Sequence, residues 1–153
     1  MSNLLIEKQP ANSRLSLQCK EIGQNSSTIR SLDWDRSRFD IEFGLRNGTT
    51  YNSFIIQGEK NALIDTSHAK FRNTWLQTLK GQINPQSIDY LIVSHTEPDH
   101  SGLIGDLLEE NQNIEIVGSK VAIQFLENQI HCSFKSRAIK TGNELDLGIN
   151  PLN

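Results

Sequence analysis

The chain has 153 residues, 36% hydrophobic and 22% charged, with a net charge of -3. That length suits one globular domain with a core of its own, and the small negative balance with dispersed Lys and Arg offers no field for nucleic acid or an anionic membrane. No apolar run nears the ~20 residues that span a bilayer, the start MSNLLIEKQP lacks the basic and apolar regions of a signal peptide, and Cys19 and Cys132 have no Cys-x-x-Cys spacing. A cytoplasmic, reducing setting is expected.

Residues 1–13 are polar with a proline and read as a flexible N-terminal arm. Residues 14–22, RLSLQCKEI, alternate apolar and polar positions as a half-buried strand does, GQNSS is a turn by composition, and Thr28–Trp34 reads as a second strand. Asn47-Gly48 is a hairpin signal leading into a strand over Tyr51–Gln57, and a turn at Gly58–Asn61 brings Ala62–Asp65 back as a β-meander. Phe71, Trp75, Leu76 and Leu79 share one helical face, with Gly81 as the stop. Then come an apolar strand over Tyr90–Val93, a helix over Gly102–Glu110, a strand over Ile114–Val117, and a helix from the N-cap Ser119 through Asn128. Lys135–Lys140 and Glu144–Leu147 add two short strands. Nearly continuous apolar strands alternating with helices imply a sheet covered by helices, hence an α/β or α+β fold.

The chemistry gathers in Ser94-His95-Thr96-Glu97-Pro98-Asp99-His100-Ser101-Gly102, directly after the strand ending at Val93. Ligands of α/β sheets bind at such carboxyl ends. In extended backbone His95, Glu97 and Asp99 point the same way, and His100 points elsewhere, which suits a second metal beside the first. Imidazole and carboxylate together suit zinc, iron and similar ions. Two His and two acids begin a dinuclear site without finishing it, because each metal needs about four to six ligands. The plainer alternative is a polar loop, with Ser94 or Ser101 as helix caps and Asp99 serving a helix N-terminus. The spacing H-x-E-x-D-H after an apolar strand favours metal.

That spacing resembles the signature of the metallo-β-lactamase superfamily. With Glu97 in its second position, and with the flanks LDWDRSRFDIEFGLRNGTTYNSFIIQGEKNALIDTSHAKF, INPQSIDYLIVSHTEPDHSG and IVGSKVAIQFLENQIH, it is similar to the flavodiiron proteins, or A-type flavoproteins, of the cyanobacterial and chloroplast branch. The resemblance implies that residues 14–148 are the N-terminal half of an αββα metallo-β-lactamase-like sandwich. It also implies a non-haem diiron centre that reduces dioxygen to water, or nitric oxide, with FMN carried by a following flavodoxin-like domain of the full-length form. His95 and Glu97 match ligands of one iron, and Asp99 and His100 those of the other. The family's remaining ligands lie further downstream than Asn153, the flavodoxin-like domain is absent, and residues 149–153 (INPLN) form a divergent tail with a proline ill-suited to a strand. The expectation is therefore a truncated oxidoreductase fragment, inactive alone, whose exposed half-sandwich associates into homo- or hetero-oligomers. Two alternatives stand beside it: a zinc-dependent hydrolase of the same superfamily, and a non-enzymatic remnant.

Other residues carry less. His68, after Ala62–Asp65, lies near the same rim but reads more readily as a surface or supporting residue than as a ligand. His131-Cys132 suits the end of a helix, where a cationic imidazole is favoured. Asp65 matches either a supporting acid of the superfamily or a strand-end turn acceptor. Trp34 and Trp75 read as core or partner-surface aromatics rather than cofactor platforms.

Overall fold

The computed structural model describes residues 14–39 and 43–149; the expected N-terminal arm and most of the divergent tail lie outside them. Strand β1 (Leu15–Gly23) turns through Asn25, at φ 60°, into β2 (Ser26–Asp33), and the two pair antiparallel with a bulge at Glu21/Gly23. Asn tolerates this left-handed backbone better than most residues. A two-residue ribbon, β3 (Arg38–Phe39) with β4 (Phe43–Gly44), follows. Next come β5 (Thr49–Ile56), β6 (Asn61–Ile64), helix α1 (Arg72–Gln82), β7 (Ile88–Ile92), the short helix α2 (Pro98–Ser101), α3 (Ile104–Glu110), β8 (Glu115–Ser119), α4 (Lys120–Gln129) and β9 (Lys135–Ile139).

The main sheet has the order β1-β2-β5-β6-β7-β8-β9; β1 through β6 are antiparallel neighbours, and β6 through β9 run parallel. The expected meander and the change to alternating β and α are both present. On one face of the sheet, Leu17, Ile29, Ile55, Leu63, Leu91 and Ile116 pack with Phe71, Trp75 and Leu79 near and in α1, Ile104 and Leu107 in α3, and Ile123 and Leu126 in α4, all essentially sealed from solvent. Trp75 belongs to this core, and its indole N–H donates to Ser53 Oγ at 3.0 Å. On the opposite face the pairing register puts Phe54, Ile64 and Ile92 in one row across three adjacent strands, and all three are only half-buried. The molecule is thus a mixed sheet with one helical layer.

Four local expectations are corrected. Asn47-Gly48 is a bend rather than a hairpin tip: Gly48, at φ 69°, passes so close to β2 that a Cβ would stand 2.0 Å from the Asp33 carbonyl oxygen, and β5 pairs back to β2. Gly81 lies inside α1, where a Cβ would meet nothing, and the helix ends instead at the buried Ile83, whose N–H bonds to Leu79. Glu144–Leu147 is not a strand; the Leu147 carbonyl accepts instead from Lys60 N, at the β5–β6 turn. The loop expected to be extended through Asp99 turns instead into the short helix α2 at Pro98, whose ring suits a first helical turn, and the helix expected over Gly102–Glu110 follows as α3.

Candidate metal centre

The last correction reshapes the candidate loop. Asp99 and His100 lie on α2 rather than in extended chain, so the alternation of His95, Glu97 and Asp99 does not set their common direction. Glu97 is extended at φ −63°, ψ 151° as the N-cap residue of that turn. What gathers the side chains is the parallel pairing of β6 with β7, which brings the loop after Ile64 beside the loop after Ile92.

At the end of β6, Asp65 adopts φ 55°, a left-handed conformation uncommon for non-glycine residues and frequent at functional sites. There its N–H bonds to the Ile92 carbonyl, and its buried carboxylate accepts from Ser94 N at 2.8 Å, from the Ser94 hydroxyl, and from His100 Nδ1 at 2.9 Å. Asp65 is therefore a strand-end turn acceptor through Ser94, and the same carboxylate also contacts the His100 ring. A carboxylate accepts, so in the neutral ring the tautomer that satisfies this contact has its proton on Nδ1 and its lone pair on Nε2. Nε2 stands 3.5 Å from Asp99 Oδ2, and the His95 ring meets the His100 ring edge to face with centroids 5.4 Å apart. His95 and Glu97 are exposed, whereas Asp99 and His100 are half-buried. Neither Ser94 nor Ser101 caps a helix; Ser101 Oγ donates to the carbonyls of Thr96 and Glu97 and ties the loop to itself.

The donors fit a metal in kind, and His100 does so in setting too, since a ring nitrogen backed by a carboxylate is the usual state of a ligating histidine. They fall short in number: among the described residues no three His, Cys, Asp or Glu side chains converge on one position for an ion.

The floor beneath the loop was not legible from local sequence. Thr66 takes the His100 carbonyl with both its N–H and its hydroxyl at 2.7 Å, and Ser67 Oγ donates to Ser31 Oγ. Lys70 Nζ and the Tyr51 hydroxyl both donate to Asp33 Oδ2, at 2.6 and 2.7 Å. Burial pushes the Asp33 carboxyl up, but the hydrogen bonds and charge of Lys70 and the bond from Tyr51 outweigh it, so its pKa lies below the ordinary value. Burial and the Asp33 charge push the Tyr51 phenol well up. These partners come from different strands and loops, and only the strand pairing unites them. His131 and Cys132 are exposed beyond α4, beside an open cavity of about 600 Å³ lined also by Arg72, Pro98, Asp106 and Glu109.

Residues 49–150 match the family model of the ODP family beta lactamases. The chain belongs to this family. Its relatives are flavodiiron proteins: it is 62% identical over 147 residues to the putative diflavin flavoprotein A 1 of Nostoc sp. (strain PCC 7120), covering 94% of this chain and 26% of that protein. It is 60% identical over 139 residues to the diflavin flavoprotein A 1 of Synechocystis sp. (strain PCC 6803), covering 91% and 24%. The fold matches the metal-soaked Flv1 flavodiiron core from Synechocystis sp. PCC6803 with a TM-score of 0.80 and 31% identity, covering 88% of this chain and 34% of that one. This ODP-family chain therefore spans about a quarter of the length of those curated relatives, and its sheet and helical layer are those of a flavodiiron metallo-β-lactamase-like core.

Proposed function

We propose that this chain carries the first part of a non-haem diiron centre, with His95 and Glu97 toward one iron and Asp99 and His100 toward the other. In a full-length form with FMN, that centre reduces dioxygen to water, or nitric oxide. The observation that carries the reading is His100, whose Nδ1 is held by Asp65 while its Nε2 is left beside Asp99. Iron bound there supplies the redox chemistry; the chain's own part is to hold the ligands. Asp65 keeps the proton on Nδ1, Thr66 fixes the His100 backbone, and Ser101 fixes the turn that carries Asp99. Glu97 adds a hard anionic oxygen, which favours an oxidisable iron over the softer preference of zinc.

With so few donors converging, the chain by itself is expected to be inactive as an oxygen or nitric oxide reductase. The half-buried row of Phe54, Ile64 and Ile92 supports association with another copy or another chain. No helix among the described residues is long and apolar enough to cross a membrane, and a cytoplasmic setting is part of this proposal.

The test is metal analysis of the purified chain after anaerobic exposure to an equimolar mixture of iron and zinc, with ester hydrolysis and oxygen consumption measured on the same sample. Selective iron uptake that is lost in His100→Ala supports the reading. Stoichiometric zinc with hydrolysis, and no iron, overturns it in favour of a zinc hydrolase.

A further inference from the structure

Asn47 is the one asparagine of the sequence that a glycine follows. The pair lies in the bend between β4 and β5, where Asn47 is exposed. Its carboxamide makes no hydrogen bond among the described residues, and neither does the N–H of Gly48. Other asparagines in turns are tied down: Asn84 Oδ1 accepts from Gln86 N, Asn111 Oδ1 from Asn113 N, and Asn143 Oδ1 from Lys140 N.

An asparagine so placed carries an electrophile within reach of its neighbour's nitrogen. Asn47 Cγ and Gly48 N close a five-membered ring when they join, and a glycine has no Cβ to shield that nitrogen. Gly48 N loses its proton to solvent base and attacks Asn47 Cγ. A C–N bond forms, the bond from Cγ to the side-chain nitrogen breaks, and ammonia leaves. Water then opens the succinimide. Addition at Cγ restores the ordinary main chain with an aspartate; addition at the main-chain carbonyl leaves isoaspartate, with the chain routed through the former side chain. Nothing is oxidised or reduced, and both products carry a new negative charge.

The fold treats the two products differently. Gly48, at φ 69°, runs so close to β2 that a Cβ would stand 2.0 Å from the Asp33 carbonyl oxygen and 2.7 Å from Trp34 Cα. The register of β5 starts one residue on, with Thr49 opposite Asp33. The aspartyl form keeps this path. The isoaspartyl form inserts one more main-chain atom directly before Gly48, where β2 leaves no room for it, so the start of β5 is pushed off the Asp33 end of β2. Asp33 is also where Lys70 and Tyr51 converge. The His68 ring stacks on Tyr51 with centroids 5.8 Å apart, and burial with the charges of Lys70 and Arg36 holds its imidazole below the ordinary pKa. Loosening at the bend therefore reaches this cluster.

We propose that Asn47 is a modification site of the folded chain, where succinimide chemistry with Gly48 yields an isoaspartyl residue that unseats the start of β5. The site stands apart from the metal loop and does not depend on the ligand reading.

The test ages the whole chain, as parent and as Asn47→Gln, at mildly alkaline pH and physiological temperature, beside a parent sample unfolded in guanidinium. Glutamine keeps an exposed amide but must close a larger ring. The probe is an isoaspartyl carboxyl methyltransferase with a labelled methyl donor, and peptide mapping locates the label. Label is expected to accumulate at residue 47 of the folded parent and to be lost in Asn47→Gln. In hydrogen exchange, the isoaspartyl form should exchange faster than fresh parent over residues 49–51 and 31–33, while the aspartyl form matches fresh parent. Label found only in the unfolded sample, label at other asparagines instead, or undiminished label in Asn47→Gln overturns the site. Equal exchange in the isoaspartyl and aspartyl forms overturns the unseating of β5.

Discussion

Asp65 Oδ2 and His100 Nδ1 lie 2.9 Å apart, joining two residues 35 positions distant in sequence at the ends of adjacent parallel strands. The pair converts a loop histidine into an oriented one, because the carboxylate accepts the Nδ1 proton and the ring can turn only one nitrogen outward. The left-handed backbone of Asp65 is part of the same device, since it lets one carboxylate receive Ser94 N, the Ser94 hydroxyl and His100 together.

Asp65→Asn tests that device directly. Asn tolerates the positive φ, so the backbone is kept, but its amide cannot accept from all three donors. Iron affinity, measured by competition with a chromogenic chelator, is expected to fall about 10- to 100-fold. Stability in urea is expected to drop by about 1–3 kcal/mol as buried donors lose their acceptor. Unchanged iron affinity would show that Asp65 supports only the turn.

Acid should destabilise the protein in two stages. The folded His68 has a lowered pKa, so the unfolded chain binds that proton more readily and stability is lost as pH falls through the ordinary imidazole value near ~6.5. Asp33 is also lowered, by Lys70 and Tyr51 against the effect of burial, so its contribution is intact above the ordinary carboxylate value near ~3.9 and is lost as pH falls through the depressed folded value. Urea midpoints taken from pH 8 to 3 should show both stages. His68→Gln should remove the upper one alone; if the upper stage persists in that variant, another group causes it.

Gly102→Ala should loosen the seat of the metal loop. The glycine has an ordinary helical φ of −63°, so the constraint is space: the new Cβ would sit 2.4 Å from the Pro98 carbonyl oxygen as well as against Ser67 and Ala69, all backbone that cannot swing aside. A cost of about 1–3 kcal/mol is expected from such overpacking. Gly105→Ala, where a Cβ would meet nothing, is the control and should be neutral or slightly stabilising in thermal melts.

The half-buried row of Phe54, Ile64 and Ile92 should drive self-association. Sedimentation at rising concentration is expected to show species larger than a monomer, shifted back toward the monomer by Phe54→Ser. A parent chain that stays monodisperse and monomeric would remove the argument for association.

Much of the fold was legible because it rests on short-range periodicity. Alternation marked β1, the continuous apolar run marked β7, the i, i+4 spacing of Phe71 and Trp75 marked the start of α1, and Ser119 announced α4, where it accepts from Ala122 N. The errors came where a local signal met a non-local neighbour. Asn47-Gly48 carries hairpin chemistry, but the passage of Gly48 against the Asp33 carbonyl serves a strand pairing that no dipeptide encodes.

For the site, the sequence by itself determined the donor types, their spacing after an apolar strand, and the family that this spacing resembles. Only the tertiary structure decided what those donors do. Pro98 turned Asp99 and His100 onto a helix, the β6–β7 pairing set Asp65 against His100, and the β2–β5–β6 register brought Asp33, Tyr51 and Lys70 together beneath His68. The physical reason is range. A side chain's chemistry travels with its residue, but orientation, tautomer and charge depend on neighbours tens of positions away, which the chain acquires only when its strands pair.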